Sequence, residues 1–261
     1  TAGKQLQVLI DVGKDKTPEW YLQRSQKDIS YEGGCGSVMR AWVLGLLFAH
    51  PETYQIPACT GIDQSELTHR HPMARNASSV MALGVSRALM NNSVEDVVET
   101  MIGNARFLDK QELQYKKNAK KWPKTKKLTA GMIARDELVT GDMIRYAYEA
   151  AKAGKTPQEV LGTHNRKNNL QRSTDGFLLG WAADEAIAAA VYLFVRNSDN
   201  VKQAIVEGVN TPGDSDTIAC LAAALVSAKT GQVCEDAHLE LLENKQKLEE
   251  LAQLAASICP F

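Results

Sequence analysis

The chain has 261 residues, 44% of them hydrophobic and 23% charged, with a formal net charge of -1. This composition is typical of a globular protein with a full hydrophobic core, and it excludes a disordered or collagen-like chain. The near-neutral balance argues against a protein that coats polyanions, and no apolar run approaches the roughly 20 residues that span a bilayer, so we expect no membrane partner.

Apolar residues recur at three- and four-residue spacing along most of the chain, which is typical of helices packed on a core. The spacing predicts helices over residues 37–50, 73–90, 94–107, 140–153, 178–195, 201–209, 216–230 and 236–258. No segment favours a β-strand, no repeat recurs, and no linker rich in Gly or Ser divides the chain. The sequence therefore predicts an all-α fold in one compact domain over residues 1–261.

The first predicted helix follows a glycine-rich loop, Tyr-Glu-Gly-Gly-Cys-Gly-Ser-Val-Met-Arg at 31–40. Backbone N–H groups in such a loop, together with the helix dipole, suit an anion such as a diphosphate. A tight packing turn is the alternative. Arg40, one turn into the helix, is either a buried salt-bridge partner or a phosphate contact, and the residues alone leave these alternatives open.

Thr-His-Arg-His-Pro at 68–72 places two imidazoles on alternate positions just before a predicted helix. Two histidines with no further His or Cys nearby are a poor set of zinc ligands. Metal binding, hydrogen bonding and a purely structural role all remain open for His69 and His71.

A basic stretch at 110–127 resembles a nucleic-acid patch, because Tyr115 and Trp122 are interleaved with eight lysines. Charge runs in a neutral chain usually face water, so we interpret the stretch as a solvated helix and loop and expect no nucleic-acid partner. The lysines concerned are Lys110, Lys116, Lys117, Lys120, Lys121, Lys124, Lys126 and Lys127.

The cysteines and the start of the chain bear on its compartment. The five cysteines are widely spaced and include no Cys-x-x-Cys pair, which favours a reducing compartment, and we expect a cytoplasmic location. The opening Thr-Ala-Gly-Lys-Gln-Leu has neither an initiator Met nor a signal-peptide pattern. We therefore expect a trimmed or internal start.

Pro-Gly-Asp-Ser-Asp-Thr at 212–217 directly precedes an alanine-rich predicted helix. Asp214, Asp216 and Thr217 bring two carboxylates and a hydroxyl to one turn, a donor set suited to Mg²⁺ or Mn²⁺. Helix capping is the alternative, because Asp or Ser in a first turn satisfies free N–H groups and the helix dipole.

These motifs, in this order, resemble the ADP-ribosylglycohydrolase family. Glu-Gly-Gly-Cys-Gly-Ser-Val-Met-Arg-Ala and Thr-His-Arg-His-Pro look most like its arginine-specific ADP-ribosylhydrolase branch, and the resemblance continues through Gly-Trp-Ala-Ala-Asp-Glu-Ala to Gly-Asp-Ser-Asp-Thr-Ile-Ala. The resemblance implies an all-α hydrolase whose cleft holds two Mg²⁺ ions and binds ADP-ribose. The implied reaction releases ADP-ribose from protein arginine at C1''. Serine-linked or other O-linked conjugates are the alternative substrates.

The resemblance also implies roles for individual residues. Asp214 and Asp216 would be catalytic, and both would ligate metal together with Thr217. The expected substrate-binding residues are Gly33, Cys35, Gly36, Ser37 and Met39 along the ADP-ribose, His69 on the ribose side, and Trp181 and Asp184 on the adenosine side.

One departure from the family pattern concerns the metal site. The family's Gly-Asp-Ala and Ser/Thr-Asp-Asp-Thr segments supply the other metal ligands, and the chain has neither; no Asp-Asp pair occurs in it. We expect either a fragment whose N-terminal part was removed or lies on another chain, or a member that lost the motif. A non-catalytic ADP-ribose-binding module is the alternative function.

Overall fold

The structure is a computed structural model that describes residues 33–49, 55–118, 140–163, 177–233 and 240–258. Within these ranges the regular elements are helices, and the one β-type contact is an isolated antiparallel bridge between Gly34 and Ala182. The predicted all-α fold is confirmed. After a short 3₁₀ turn, Cys35–Ser37, the helices are α1 Val38–Leu47, α2 Gln55–Glu66, α3 Pro72–Leu89, α4 Val94–Asn118, α5 Thr140–Lys152, α6 Pro157–Leu161, α7 Ala183–Arg196, α8 Val201–Val209, α9 Ser215–Thr230 and α10 Lys245–Ile258.

Helices α3 and α7 form the centre of the fold. Helix α7 is apolar on all sides, with Tyr192 and Phe194 fully buried, as expected of a helix surrounded by others. Helix α3 is rich in Ala and Ser and packs against α1, α2, α4 and α9. A Cβ at Gly61 of α2 would lie 2.6 Å from the carbonyl oxygen of Ser78, so glycine is needed for this close helix approach.

Several helix boundaries differ from the periodicity, and one of these differences precedes α7. The helix predicted over 178–195 begins only at Ala183. Gly180 has a φ of +82°, a conformation that does not continue a helix, and the N–H of Leu178 donates to the carbonyl of Val160 at 3.0 Å. Residues 178–182 are therefore an extended connection, in which Leu178 and Leu179 are as buried as the core residues of a helix.

Other helix boundaries shift as well. The helix predicted over 37–50 ends at Leu47, the one over 94–107 continues to Asn118, and the last one begins at Lys245, residues 236–239 lying outside the described ranges. Two helices, α2 and α6, were not predicted. Helix α2 buries Pro57, Ala58, Gly61 and Ser65 rather than large apolar side chains, so its pattern is weak.

The described helices bear on two further expectations. None of them is both long and apolar enough to span a membrane. Lys110 is exposed on α4, but residues 119–127 of the basic stretch and the side chains of Lys116 and Lys117 lie outside the described part of the chain. Its interpretation as a solvated surface stays a prediction.

Candidate functional site

The glycine loop, residues 33–37, is fixed by backbone hydrogen bonds to the segment that leads into α7. The N–H of Cys35 donates to the carbonyl of Trp181 at 3.3 Å, and the N–H of Ala183 donates to the carbonyl of Gly33 at 3.1 Å. The bridge between Gly34 and Ala182 lies between these two bonds. The loop is therefore held directly at the N-terminus of α7.

Three helix N-termini meet at this loop: the 3₁₀ turn that continues into α1, helix α7 and helix α9. Their N-cap residues are Gly34, Ala182 and Asp214, and none of the three makes a capping hydrogen bond through a side chain. The α9 terminus is joined to the α7 segment because the Asp214 N–H donates to the carbonyl of Leu179 at 2.7 Å. The positive ends of the three helix dipoles favour an anion at this point.

Asp214 directs its carboxylate at the glycine loop and makes no capping hydrogen bond to the backbone of its own helix. The Cys35 thiol donates to Asp214 Oδ2 at 2.8 Å, and Cys35 Sγ lies 3.6 Å from the hydroxyl of Thr217. The structure therefore brings together three predicted site residues from two distant motifs. The capping interpretation is wrong for Asp214, which occupies the N-cap position without capping. Asp216 lies exposed in the first turn.

Burial and like charge dominate the electrostatics of this cluster. Burial raises the pKa of Asp214, as does the neighbouring carboxylate of Asp216, although hydrogen bonds from Cys35 and Thr217 act against the rise. Burial and the hydrogen bond to Asp214 raise the pKa of Cys35 to about 12, so the thiol stays protonated at neutral pH. A cation at this position would compensate the charged form of Asp214, which burial and the neighbouring carboxylate disfavour.

The donor set of Asp214, Asp216 and Thr217 fits a hard divalent cation in its chemistry, since it consists of carboxylate and hydroxyl oxygens. The set has too few ligands to make a complete metal site. Among the residues that the structure describes, no three His, Cys, Asp or Glu side chains converge closely enough to hold a metal ion. The cluster is therefore at most part of a metal site.

The two histidines lie on the other side of the glycine loop. A Cβ added at Gly36 would lie 3.1 Å from His69 Cε1, and one added at Gly33 would lie 3.2 Å from His71 Cγ, so both rings pack directly on the loop. The Nδ1 of His71 also accepts the N–H of Met73 at 3.2 Å and caps α3. His71 therefore makes a capping hydrogen bond in this structure.

Ser37 and Met39 contribute differently from the rest of the loop. The Ser37 hydroxyl is fully buried and hydrogen-bonded to Ser65 and Ser78, each at 3.0 Å. A ligand contact from Ser37 would therefore come from its backbone. Met39 is partly buried in the first turn of α1.

Trp181 and Asp184 flank the start of α7 with opposite exposure. The Trp181 side chain is 41% exposed although large and apolar, next to the backbone that holds the glycine loop. Asp184 is buried, and its Oδ1 accepts the N–H of Glu185 at 2.9 Å. Its charge contributes, after burial, to the raised pKa of Asp109 on α4. The charge of Asp184 therefore acts on Asp109 of the neighbouring helix α4.

Sequence reasoning missed a network that begins at Arg40. Its guanidinium donates to the side chain of Gln64 at 2.7 Å, to the carbonyl of Gly36 at 3.3 Å and to the hydroxyl of Thr68. These partners are neutral oxygens, so within the described ranges Arg40 is not the salt-bridge partner that one interpretation expected. The only sequence signal was its position one turn after the loop; whether it contacts phosphate stays a prediction.

The sequence model of the ADP-ribosylglycohydrolase family matches residues 6–259 of the chain. The match spans the glycine loop, the two histidines, the segment before α7 and the acidic cluster at the start of α9.

Proposed function

The chain belongs to the ADP-ribosylglycohydrolase family, which implies hydrolysis of a bond to ADP-ribose, and from this premise we propose a specific activity. The proposed reaction is the Mg²⁺-dependent release of ADP-ribose from arginine of a modified protein, by cleavage of the N-glycosidic bond at C1''. The preference for arginine is supported by the motifs around Cys35 and His69. A cytoplasmic location belongs to the same proposal.

One observation carries the proposal: three helix N-termini whose N-cap residues make no side-chain capping bond meet a glycine loop that contacts the buried carboxylate of Asp214. The backbone N–H groups and helix dipoles would bind the diphosphate of ADP-ribose. The exposed face of Trp181 would stack on the adenine ring. Binding energy from these distant parts would hold C1'' close to the acidic cluster.

Asp214, Asp216 and Thr217 would hold the metal in this proposal, with Mg²⁺ expected and Mn²⁺ as the alternative. A bound ion would polarise water and stabilise developing negative charge. Asp216, the exposed carboxylate of the pair, would accept the proton of the attacking water. Both carboxylates would also favour the positive charge that develops at C1'' in glycoside cleavage.

A second candidate is a non-catalytic module that binds ADP-ribose. It is favoured by the incomplete ligand set, because no three-residue metal cluster occurs in the described ranges. A separate N-terminal fragment with the remaining ligands would restore catalysis and would then be a partner of this chain. Serine-linked or other O-linked conjugates are the alternative substrates for the catalytic form.

The test begins with the intact mass of the purified protein, which establishes whether a second polypeptide accompanies the chain. Release of ADP-ribose is then measured from arginine-modified and serine-modified proteins, each with Mg²⁺ and with a chelator. Mg²⁺-dependent release from the arginine substrate alone supports the proposal, and release from the serine substrate alone contradicts the linkage. Calorimetric binding of ADP-ribose without release from either substrate supports the binding module.

A further inference from the structure

A pocket of about 100 Å³ lies between helices α2, α3 and α4. Its apolar walls are Ile62 of α2, Pro72 at the start of α3 and Leu108 of α4. Two polar side chains, Asn76 and Asp109, also line it, and they are only 3% and 7% exposed. The pocket therefore combines apolar walls with a buried polar pair.

The side-chain amide of Asn76 leaves one buried acceptor without a partner. Its Nδ2 donates to the carbonyl of Ala105 at 2.9 Å and to Asp109 Oδ1 at 2.7 Å, so both amide protons are used. Because both partners are acceptors, the nitrogen and oxygen of the amide are not interchangeable. Within the described ranges, Asn76 Oδ1 has no hydrogen-bond partner. This is unfavourable for a buried oxygen unless a molecule in the pocket donates to it.

The carboxylate of Asp109 is the second acceptor of the pocket. Its Oδ1 accepts from Asn76, and its Oδ2 accepts the N–H of Gly141 at 3.0 Å. Each carboxylate oxygen has two lone pairs, so each can accept one further bond. Burial raises the pKa of Asp109, as do the charges of Asp184 and Asp142, while these two hydrogen bonds lower it. A positive charge in the pocket would stabilise the ionised carboxylate.

The remaining lining residues define what can enter. Gln111 is exposed, so the pocket reaches solvent, and Arg75 pairs with Glu66 at 3.1 Å, so that a carboxylate offsets its charge. A head group for two acceptors must consist of donors. A primary ammonium has three donors and no acceptor, and it is compact enough for a pocket of this volume. Water also donates, but its own lone pairs would face the two acceptors.

We propose that this pocket binds a primary alkylammonium group, which donates to Asn76 Oδ1 and to the carboxylate of Asp109 and places its apolar stem between Ile62 and Leu108. Such a group comes either from a free alkylamine or from a lysine side chain of a partner protein. The proposal does not rest on the proposed function, since the lining residues all belong to α2, α3 and α4.

The test is a titration with n-butylammonium chloride at neutral pH, followed by ¹⁵N–¹H correlation NMR. We expect saturable shifts at the side-chain amide of Asn76 and at the backbone N–H of Gly141. 1-Butanol has the same stem and a neutral head, so it should bind at least about tenfold more weakly, because it lacks charge-assisted hydrogen bonds. No saturable shift at these two groups, as expected if water alone fills the pocket, would overturn the proposal, and so would equal affinities for the two probes.

Two matched variants locate the bound ammonium. Leu108→Trp should fill the pocket without changing its polar groups, and the shifts should disappear. Phe107→Trp is the control, because Phe107 is 59% exposed and does not line the pocket, so binding should be unchanged. If Leu108→Trp does not fold, Ile62→Phe narrows the pocket from the α2 side and should also weaken binding. Undiminished binding in a folded variant of either kind would refute the site.

A blocked tripeptide with a central lysine distinguishes the two sources of the ammonium group. Binding of the tripeptide as tight as that of n-butylammonium, with the same shifts, supports the site and indicates a lysine of a partner protein. Binding of n-butylammonium alone supports the site and indicates a free amine. Binding of neither contradicts the proposal.

Discussion

Gly213→Ala should separate the acidic cluster from the segment that precedes α7. A Cβ at Gly213 would overlap the carbonyl oxygen of Leu179 and lie 2.7 Å and 2.8 Å from its C and Cα atoms. Ordinary carbon contacts are about 3.5–4.0 Å, so the two segments must move apart by about 1 Å. The bond from Asp214 N–H to the Leu179 carbonyl, now 2.7 Å, would then exceed hydrogen-bonding distance.

The loss can be estimated from these two effects. Overpacking costs about 1–3 kcal/mol and the lost hydrogen bond about 1 kcal/mol, so the free energy of unfolding should fall by about 2–4 kcal/mol. For a domain of this size that corresponds to a fall in Tm of roughly 5–15 °C. ADP-ribose binding should weaken as well, because Asp214 and the glycine loop would no longer be held together.

The assay is urea and thermal unfolding of Gly213→Ala beside Gly103→Ala. Gly103 is an exposed interior position of α4 with no atom within 4 Å of a built Cβ. Alanine there should be neutral or should stabilise the helix by up to about 1 kcal/mol. If both variants unfold at the temperature of the unmodified protein, the close contact that positions Asp214 is refuted.

Three further predictions concern the site and the core. Asp214→Asn should abolish ADP-ribose release without lowering Tm, because burial and a neighbouring carboxylate already disfavour the charged form; activity retained at saturating Mg²⁺ would contradict the assignment. Iodoacetamide at pH 8 should label exposed Cys59 much faster than Cys35, whose pKa is raised to about 12, and labelling of Cys35 should increase as the pH rises towards that value. Peptide mass spectrometry measures both sites, and equal labelling would be the contrary result. Tyr192→Phe should reduce the unfolding free energy by about 1 kcal/mol in urea titrations, since the phenol of this buried residue donates to the carbonyl of Lys155 at 2.5 Å; an unchanged midpoint would argue against that bond.

Helical periodicity was sufficient to predict the fold class, because most helices bury large apolar residues on one face. Periodicity failed where a helix buries small residues, or where buried apolar residues lie outside a helix. Helix α2 packs through Gly61 and Ser65, which carry no hydrophobic signal. Leu178 and Leu179 are apolar and buried yet lie in an extended segment, since Gly180 adopts a positive φ.

The residues of the candidate site could be found from the sequence, but their arrangement could not. Cys35 and Asp214 are 179 positions apart, and only the packing of the loop on α7 and α9 brings their side chains to 2.8 Å. The capping role considered for Asp214 had to be decided by the direction of its carboxylate. The hydrogen bond between Arg40 and Thr68 could not be predicted, because Arg40 lies on α1 and Thr68 in the turn after α2.

The most direct test of the central claim is the release of ADP-ribose from an arginine-modified protein by the purified chain, measured with Mg²⁺ and again with a chelator. The proposed function predicts release that depends on Mg²⁺ and is lost in Asp214→Asn. ADP-ribose binding without any release, in a preparation that contains all polypeptides of the protein, would contradict the claim.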